Sequence, residues 1–185
     1  IHDIITDFHI DLLSLTETWI KADAPPAIKR NIAPAGFHVL HVHRPAGGPT
    51  RGGGLAVIYR DNIKASSHSL ATSVRPKTFE LQLVKISVPS PIILANIYRL
   101  EGSIPLFLDE LSDVVSTICC SSTERVLLTG DFNCPGTSPE TIDERLEDVL
   151  NSFGLNQHIK QPTRLTVNVS NLLDIVATDS TLPVS

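Results

Sequence analysis

No apolar stretch in this chain is longer than a β-strand. The runs at 12–15, 55–59, 63–70, 78–88, 92–98, 125–129 and 172–178 are each bounded by polar or turn-forming residues. The longest, around Pro91–Tyr98, falls far short of the ~18 apolar residues that a membrane-spanning helix needs. Phe37–His43 alternates its side chains between two faces, the pattern of a half-buried strand. Pro89-Ser90-Pro91 joins the fifth and sixth strand candidates as a hairpin. Strands outnumber helices and several are hairpin-linked. That favours a mixed α+β layered domain over a parallel doubly wound sheet.

Three segments carry the helical period instead. Ile1, Ile4, Ile5 and Phe8 form one stripe, and Phe107, Leu108, Leu111, Val114, Val115 and Ile118 form another, with Pro105 suited to its first turn. Ile142, Leu146, Val149, Leu150 and Phe153 line a third. Ser138-Pro139-Glu140 is its expected start and Gly154 its stop. Pro25-Pro26, Pro34-Ala35-Gly36 and the glycine-rich Arg44–Gly54 read as loops. A chain of 185 residues predicts one domain, 1–185, that buries roughly 70 % of its unfolded surface.

Composition narrows the class. Hydrophobic residues make up 42 % and charged residues 19 %, which excludes wholesale disorder. Three cysteines, Cys119 and Cys120 adjacent, give neither a disulfide framework nor zinc-ligand spacing and read as small buried hydrophobes. The acidic start (Asp3, Asp7, Asp11) lacks the basic region of a signal peptide. A nuclear or cytoplasmic protein, not secreted and with no membrane partner, is therefore expected. The chain has no methionine, so a piece of a longer protein is expected, beginning at Ile1.

Net charge is −5, which weighs against a dedicated nucleic-acid binder, yet the charge is unevenly distributed. Residues 21–100 carry eleven Lys/Arg against three Asp/Glu, and residues 101–151 carry two against eleven. A basic half folded onto one face would meet phosphates, while the acidic helices are read as solvated surface. Arg44, Arg51, Arg60 and Arg99 are expected nearest a phosphate-binding rim.

Polar groups interrupt apolar strands at informative places. Glu17 follows Leu12–Leu15, Asp131 and Asn133 follow Val126–Leu128, and Asp174 lies within Leu172-Leu173-Asp174-Ile175-Val176. A carboxylate at a buried strand end is costly unless paired or bound to a cation. Carboxylates and a carboxamide converging from separate strands supply hard oxygen ligands suited to Mg²⁺. The i, i+2 spacing of Asp131 and Asn133 turns both toward one face of a continuing strand. Any one of these acids alone reads equally as a cap, a turn former or a surface charge.

Taken in order, Leu15-Thr16-Glu17-Thr18-Trp19, Asn96-Ile97-Tyr98, Leu128-Thr129-Gly130-Asp131-Phe132-Asn133 and Leu173-Asp174-Ile175 resemble the endonuclease/exonuclease/phosphatase superfamily. Arg51-Gly52-Gly53-Gly54-Leu55-Ala56-Val57 and Phe79-Glu80 look most like the endonuclease domain of LINE-type (non-LTR) retrotransposons. The resemblance implies a four-layer α/β/β/α sandwich of the deoxyribonuclease I kind and metal-dependent phosphodiester hydrolysis. It implies DNA as partner, nicked with Mg²⁺ or with Mn²⁺ in its place, and a longer polyprotein carrying a reverse transcriptase. Glu17 and Asp131 would hold the metal, and Asp131 would prepare the attacking water. Tyr98 would contact the scissile phosphate and Asn133 would hold that phosphate or the attacking water, with Arg99 and Arg51 as further substrate contacts. Asp174 would orient a catalytic histidine.

Two parts of the family pattern have no counterpart here: an asparagine on a first strand and a terminal Ser-Asp-His strand. None of the seven histidines stands in the latter context. A truncated, weakly active or inactive enzyme is the corresponding expectation. The alternatives are a phosphatase of the same superfamily acting on a small phosphorylated substrate, and a noncatalytic relic of the fold. Several residues keep two readings. Trp19 is a core or rim aromatic before it is a stacking platform. Glu80 either bonds within the site or lines an outer strand face. Arg51 with its glycines either approaches DNA or forms a plain hairpin turn, and Arg99 either reaches a phosphate or is solvated. His41 and His43 share a strand face but show no third metal ligand.

Overall fold

The computed structural model describes residues 1–45, 51–70, 74–87, 90–121 and 124–182. Residues 46–50 of the expected loop, Val88 and Pro89 of the expected strand and hairpin turn, and Val184-Ser185 lie outside the described residues. The elements in chain order are α1 (His2–Asp7), β1 (Leu12–Leu15), α2 (Pro26–Arg30), β2 (Phe37–Val42), β3 (Leu55–Arg60), β4 (Lys64–His68), β5 (Phe79–Ser87), β6 (Ile92–Arg99), α3 (Ile104–Ser121), β7 (Arg125–Asp131), α4 (Glu144–Ser152), β8 (Leu155–Gln157), β9 (Arg164–Leu165), β10 (Ser170–Asn171) and β11 (Asp174–Asp179).

Two sheets are stacked between helices. The smaller has the order β1-β3-β2, all antiparallel, and the larger has the order β4-β5-β6-β7-β11-β8. Only β6 and β7 run parallel within the large sheet, and α3 makes the crossover between them. Strand alternation sorts side chains into layers. From β6, Ile93, Ala95 and Ile97 join Phe107, Leu111 and Ile118 of α3 and Leu146 and Leu150 of α4 on the outer face. Leu94 and Ile92 point the other way, to Val57 and Tyr59 of β3. Ile58, next along β3, faces outward to Ile5 of α1 and to Ala33. The expected α/β/β/α sandwich is the observed architecture.

Phe107 anchors the outer layer edge-on to Phe79 and Phe132, with ring centroids 5.5 and 6.1 Å away. Burying such a ring stabilises the fold by roughly 1.5–3 kcal/mol. Polar residues tie the two sheets together. Asn96 Nδ2 donates to the carbonyl of Leu15 at 3.0 Å, and Gln82 Nε2 donates to that of Leu40 at 2.8 Å. The strand ends beyond these two residues are thereby held over one another.

Local expectations were displaced in four places. The third helix starts at Glu144, not near Ser138, because Ser138 and Thr141 close a turn and Ile142 bridges to Pro135. Asp143 takes the cap, accepting the Arg145 N–H at 2.9 Å. Pro26 opens a short helix inside an expected loop. In α1 only Ile5 is buried, while Ile1, Ile4 and Phe8 are exposed. Cys119 and Cys120 are exposed at the end of α3, and only Cys134 is the buried hydrophobe expected. The acidic residues Asp109, Asp113, Glu144, Glu147 and Asp148 do form a solvated face. Among the described residues, no helix is long and apolar enough to cross a membrane.

Candidate active site

Pairing register builds the site. Glu80 of β5 lies opposite Tyr98 of β6, Tyr98 opposite Asp131 of β7, and Asp131 opposite Asp174 of β11. One row therefore crosses four strands near their ends. Gln82 and Asn96, two residues back on β5 and β6, reach toward the small sheet, so the row faces the same way. Across the cleft, Glu17 extends from the end of β1, and Tyr98 Oη donates to Glu17 Oε1. A hollow of about 570 Å³ results, lined by Glu17, Tyr98, Arg99, Asp131, Asn133 and Asp174 together with Glu101, Thr163 and Arg164. A slightly larger hollow of about 610 Å³ beside β2 is lined by no carboxylate.

Electrostatics within the cluster is unfavourable. Like charges directly opposite on neighbouring strands repel. Burial pushes the Asp131 carboxyl up from 3.8 to about 6, with the Asp174 and Glu17 charges adding to it and the Asn133 N–H opposing it. Tyr98 is also raised, chiefly by burial, then by its hydrogen bond to Glu17 and the charges of Glu17 and Asp131. The phenol is a donor at neutral pH. The Glu17 and Asp131 carboxylates at this mouth are hard oxygen donors whose charge a divalent cation would neutralise.

A second layer fixes the first. Buried Glu80 accepts the Gly54 N–H at 2.7 Å on one oxygen and pairs with Arg44 Nε through the other. Arg44 also donates to the Arg51 carbonyl at 2.7 Å and sits 6.0 Å from the Tyr98 ring centroid. The glycines follow from this clamp. A Cβ on Gly53, whose φ is +82°, would run into the Arg44 guanidinium and the Glu80 carboxylate. The loop in turn holds the Glu17 segment, since Thr18 and Trp19 donate their N–H groups to the Gly54 and Gly53 carbonyls at 3.1 and 2.8 Å. Glu80 thus bonds within the site and is no outer-face residue. The glycines form a clamped loop, not a plain hairpin turn.

Arg99 lines the hollow and is not solvated. It is 6 % exposed, donating from Nη1 to Asn133 O at 2.8 Å and from Nη2 to the Gly102 carbonyl. Asn133 donates back to the Arg99 carbonyl at 3.2 Å, so this pair braces the turn after β7. The strand ends at Asp131 and Asn133 has φ +45°, so i, i+2 strand geometry does not apply to this pair. Arg51 lies outside the hollow, its guanidinium 5.4 Å from the Trp19 ring centroid. Arg60 is at the far end of the small sheet, bound to Asp11 at 2.6 Å, so the expected rim position is corrected. His41 Nε2 is bonded to the Thr18 hydroxyl at 2.9 Å. Among the described residues, no group of three His, Cys, Asp or Glu forms a compact metal cluster, His41 and His43 included.

Two contributors had escaped notice. Thr163 Oγ1 accepts the Leu173 and Asp174 N–H groups at 3.1 and 3.0 Å, fixing the entry to β11. Arg164, on a two-residue strand, brings a positive charge to Asp131. A strand that short leaves no periodicity for the sequence to show.

The chain belongs to the Endonuclease/Exonuclease/phosphatase family, matched over residues 1–148. Members of this family are usually hydrolases of phosphodiester bonds and generally use divalent metals. The fold is similar to that of the endonuclease domain of TRAS1, a telomere-specific non-LTR retrotransposon. The TM-score is 0.65 at 15 % identity, covering 96 % of this chain and 76 % of that one. A Bacteroides thetaiotaomicron family protein gives 0.66 at 14 % identity, over 96 % and 72 % of the two chains. Truncated Caenorhabditis elegans TDP2 gives 0.62 at 13 %, over 95 % and 74 %. No curated protein matches the chain in sequence.

Proposed function

We propose that the chain is the DNA-nicking endonuclease domain of a non-LTR retrotransposon, dependent on Mg²⁺ or Mn²⁺, within a longer polyprotein that carries a reverse transcriptase. The observation that supports it best is the meeting of Glu17, from one sheet, with the Tyr98-Asp131-Asp174 row of the other. Glu17 and Asp131 would hold the metal. A bound divalent ion supplies charge neutralisation at the phosphoryl oxygen and favours a deprotonated water.

The residues themselves divide the remaining work. Asp131, at the strand end facing the hollow, accepts a proton from the attacking water. Tyr98 keeps its proton and directs its O–H at Glu17, next to where a phosphate oxygen would lie. Asn133 is held by Arg99 at the edge of the same hollow. Asp174 lines the same hollow, where it would orient a further group.

The test is nicking of supercoiled plasmid in Mg²⁺. Nicking is expected to be weak for residues 1–185 and stronger when the chain carries the residues flanking it in its gene. Asp131→Ala should remove it in both forms. Nicking that survives Asp131→Ala overturns the assignment. Phosphate release from a small phosphomonoester, with plasmid left intact, replaces it by the phosphatase reading.

A further inference from the structure

Trp19 is the only tryptophan of the chain, and it is 52 % exposed. Burying an aromatic of this size would stabilise the fold, so its exposure needs a reason. Its backbone is in the left-handed region, with φ +58°, where a bulky residue is an outlier. Nothing in the segment lets that strain relax. The Trp19 and Thr18 N–H groups are bound to the Gly53 and Gly54 carbonyls, and the Thr18 hydroxyl to His41. A conformation over-determined in this way and presenting an apolar ring to solvent is the kind of strain that accumulates at ligand sites.

The ring's position narrows the ligand. The place a Gly52 Cβ would occupy is 3.3 Å from Glu17 Oε1 and 3.9 Å from Trp19 Cε2 and Cζ2, so carboxylate and ring flank one spot. The Arg51 guanidinium lies over the ring. The ring also lines a hollow of about 430 Å³ with Ile20, Lys21, Asp23, Pro25 and Ile28. An aromatic plane, an apolar wall and cationic side chains beside a phosphoester site suit a nucleotide, whose base stacks while its phosphates meet Arg51 and Lys21.

We infer that Trp19 is a stacking platform for an unpaired nucleobase of the strand whose phosphate lies at Glu17. This rests on the nuclease reading and adds a demand for locally unstacked DNA. The stack would be indifferent to base identity, because every base offers a π-face.

Trp19 reports on itself, since it dominates the intrinsic fluorescence. The experiment uses the full chain in Ca²⁺, with a short oligothymidylate and an abasic oligomer of equal length and charge. Oligothymidylate is expected to quench the emission and to bind about tenfold tighter than the abasic chain. Trp19→Ala should bind the two equally, and Trp19→Phe should recover part of the preference. Equal binding of both oligomers by the wild-type chain, or undiminished emission at saturation, overturns the platform and leaves the nuclease reading in place. If neither oligomer binds and plasmid is not nicked, the nuclease reading falls as well.

Discussion

Carboxylates on the helix-covered side of the large sheet and carboxylates at the cleft mouth are held in opposite ways. Glu110 of α3 accepts the Thr78 hydroxyl at 2.7 Å and the Lys77 and Thr78 N–H groups at 2.8 and 2.9 Å. Burial pushes Glu110 up, but these donors outweigh it and hold the acid below its ordinary value. Asp179 behaves alike, lowered by Thr181 and the Val126 N–H against burial, and Asp143 is lowered first by Arg145. Asp131 has one backbone donor and two carboxylates for neighbours. The first group stabilises turns and helix ends. The second is a concentration of charge that the fold tolerates at a cost, and such frustration marks a binding or catalytic site more often than a scaffold.

The backbone repeats the contrast. Four non-glycine residues have positive φ among the described residues, and Glu17, Trp19 and Asn133 are three of them. Each such conformation costs of order 1 kcal/mol. Strain and repulsion therefore collect at the same end of the sandwich, supported by the Glu80–Arg44 clamp behind them.

The largest expected effect breaks the site half only. Asp131→Ala should lower nicking by about 10²–10⁴-fold, while Glu110→Ala leaves the rate per folded molecule unchanged. Rates on plasmid, normalised to folded protein by circular dichroism, decide this. Next comes the clamp. Glu80→Ala removes the carboxylate paired with Arg44, whose side chain is 11 % exposed, and should destabilise by about 3 kcal/mol in urea unfolding.

Smaller effects sharpen the comparison. Glu110→Ala should cost about 1–2 kcal/mol through lost charge-assisted hydrogen bonds. Asp131→Asn should instead raise metal-free stability by about 1 kcal/mol at pH 7, a value reduced by solvent access to the group. The signs of the pH dependence are opposite. A raised carboxyl penalises the fold progressively as pH climbs from about 4 through about 6, so the Asp131→Asn gain should be full above pH 6 and absent below pH 4. Glu110 contributes stability above its unfolded value of 4.5 that is lost as pH falls through its lower folded value. Thermal melts at a series of pH values in EDTA test both. The smallest effect is that of Trp19→Gly, which removes left-handed strain and should leave the melting temperature unchanged or slightly higher, although a large ring is lost.

The sequence by itself determined most of the elements. Short apolar runs bounded by polar and turn-forming residues, with one alternating run at Phe37–His43, placed β1 to β7 to within two residues, and the period of Phe107–Ile118 placed α3, because run length and periodicity report directly on which side chains are buried. It also marked Glu17, Asp131, Asn133 and Asp174, since polar groups that interrupt apolar strands are costly without a purpose, while Tyr98 followed only from the family resemblance. Tertiary structure alone decided what those residues meet. The row Glu80-Tyr98-Asp131-Asp174 is a consequence of register between strands far apart in sequence, and Glu17 joins it because the small sheet packs on the large one, with Asn96 and Gln82 bonded across. The burial of Arg99, the exposure of Trp19 and the arrival of Arg164 likewise depend on non-local packing, which side-chain spacing along a single chain does not encode.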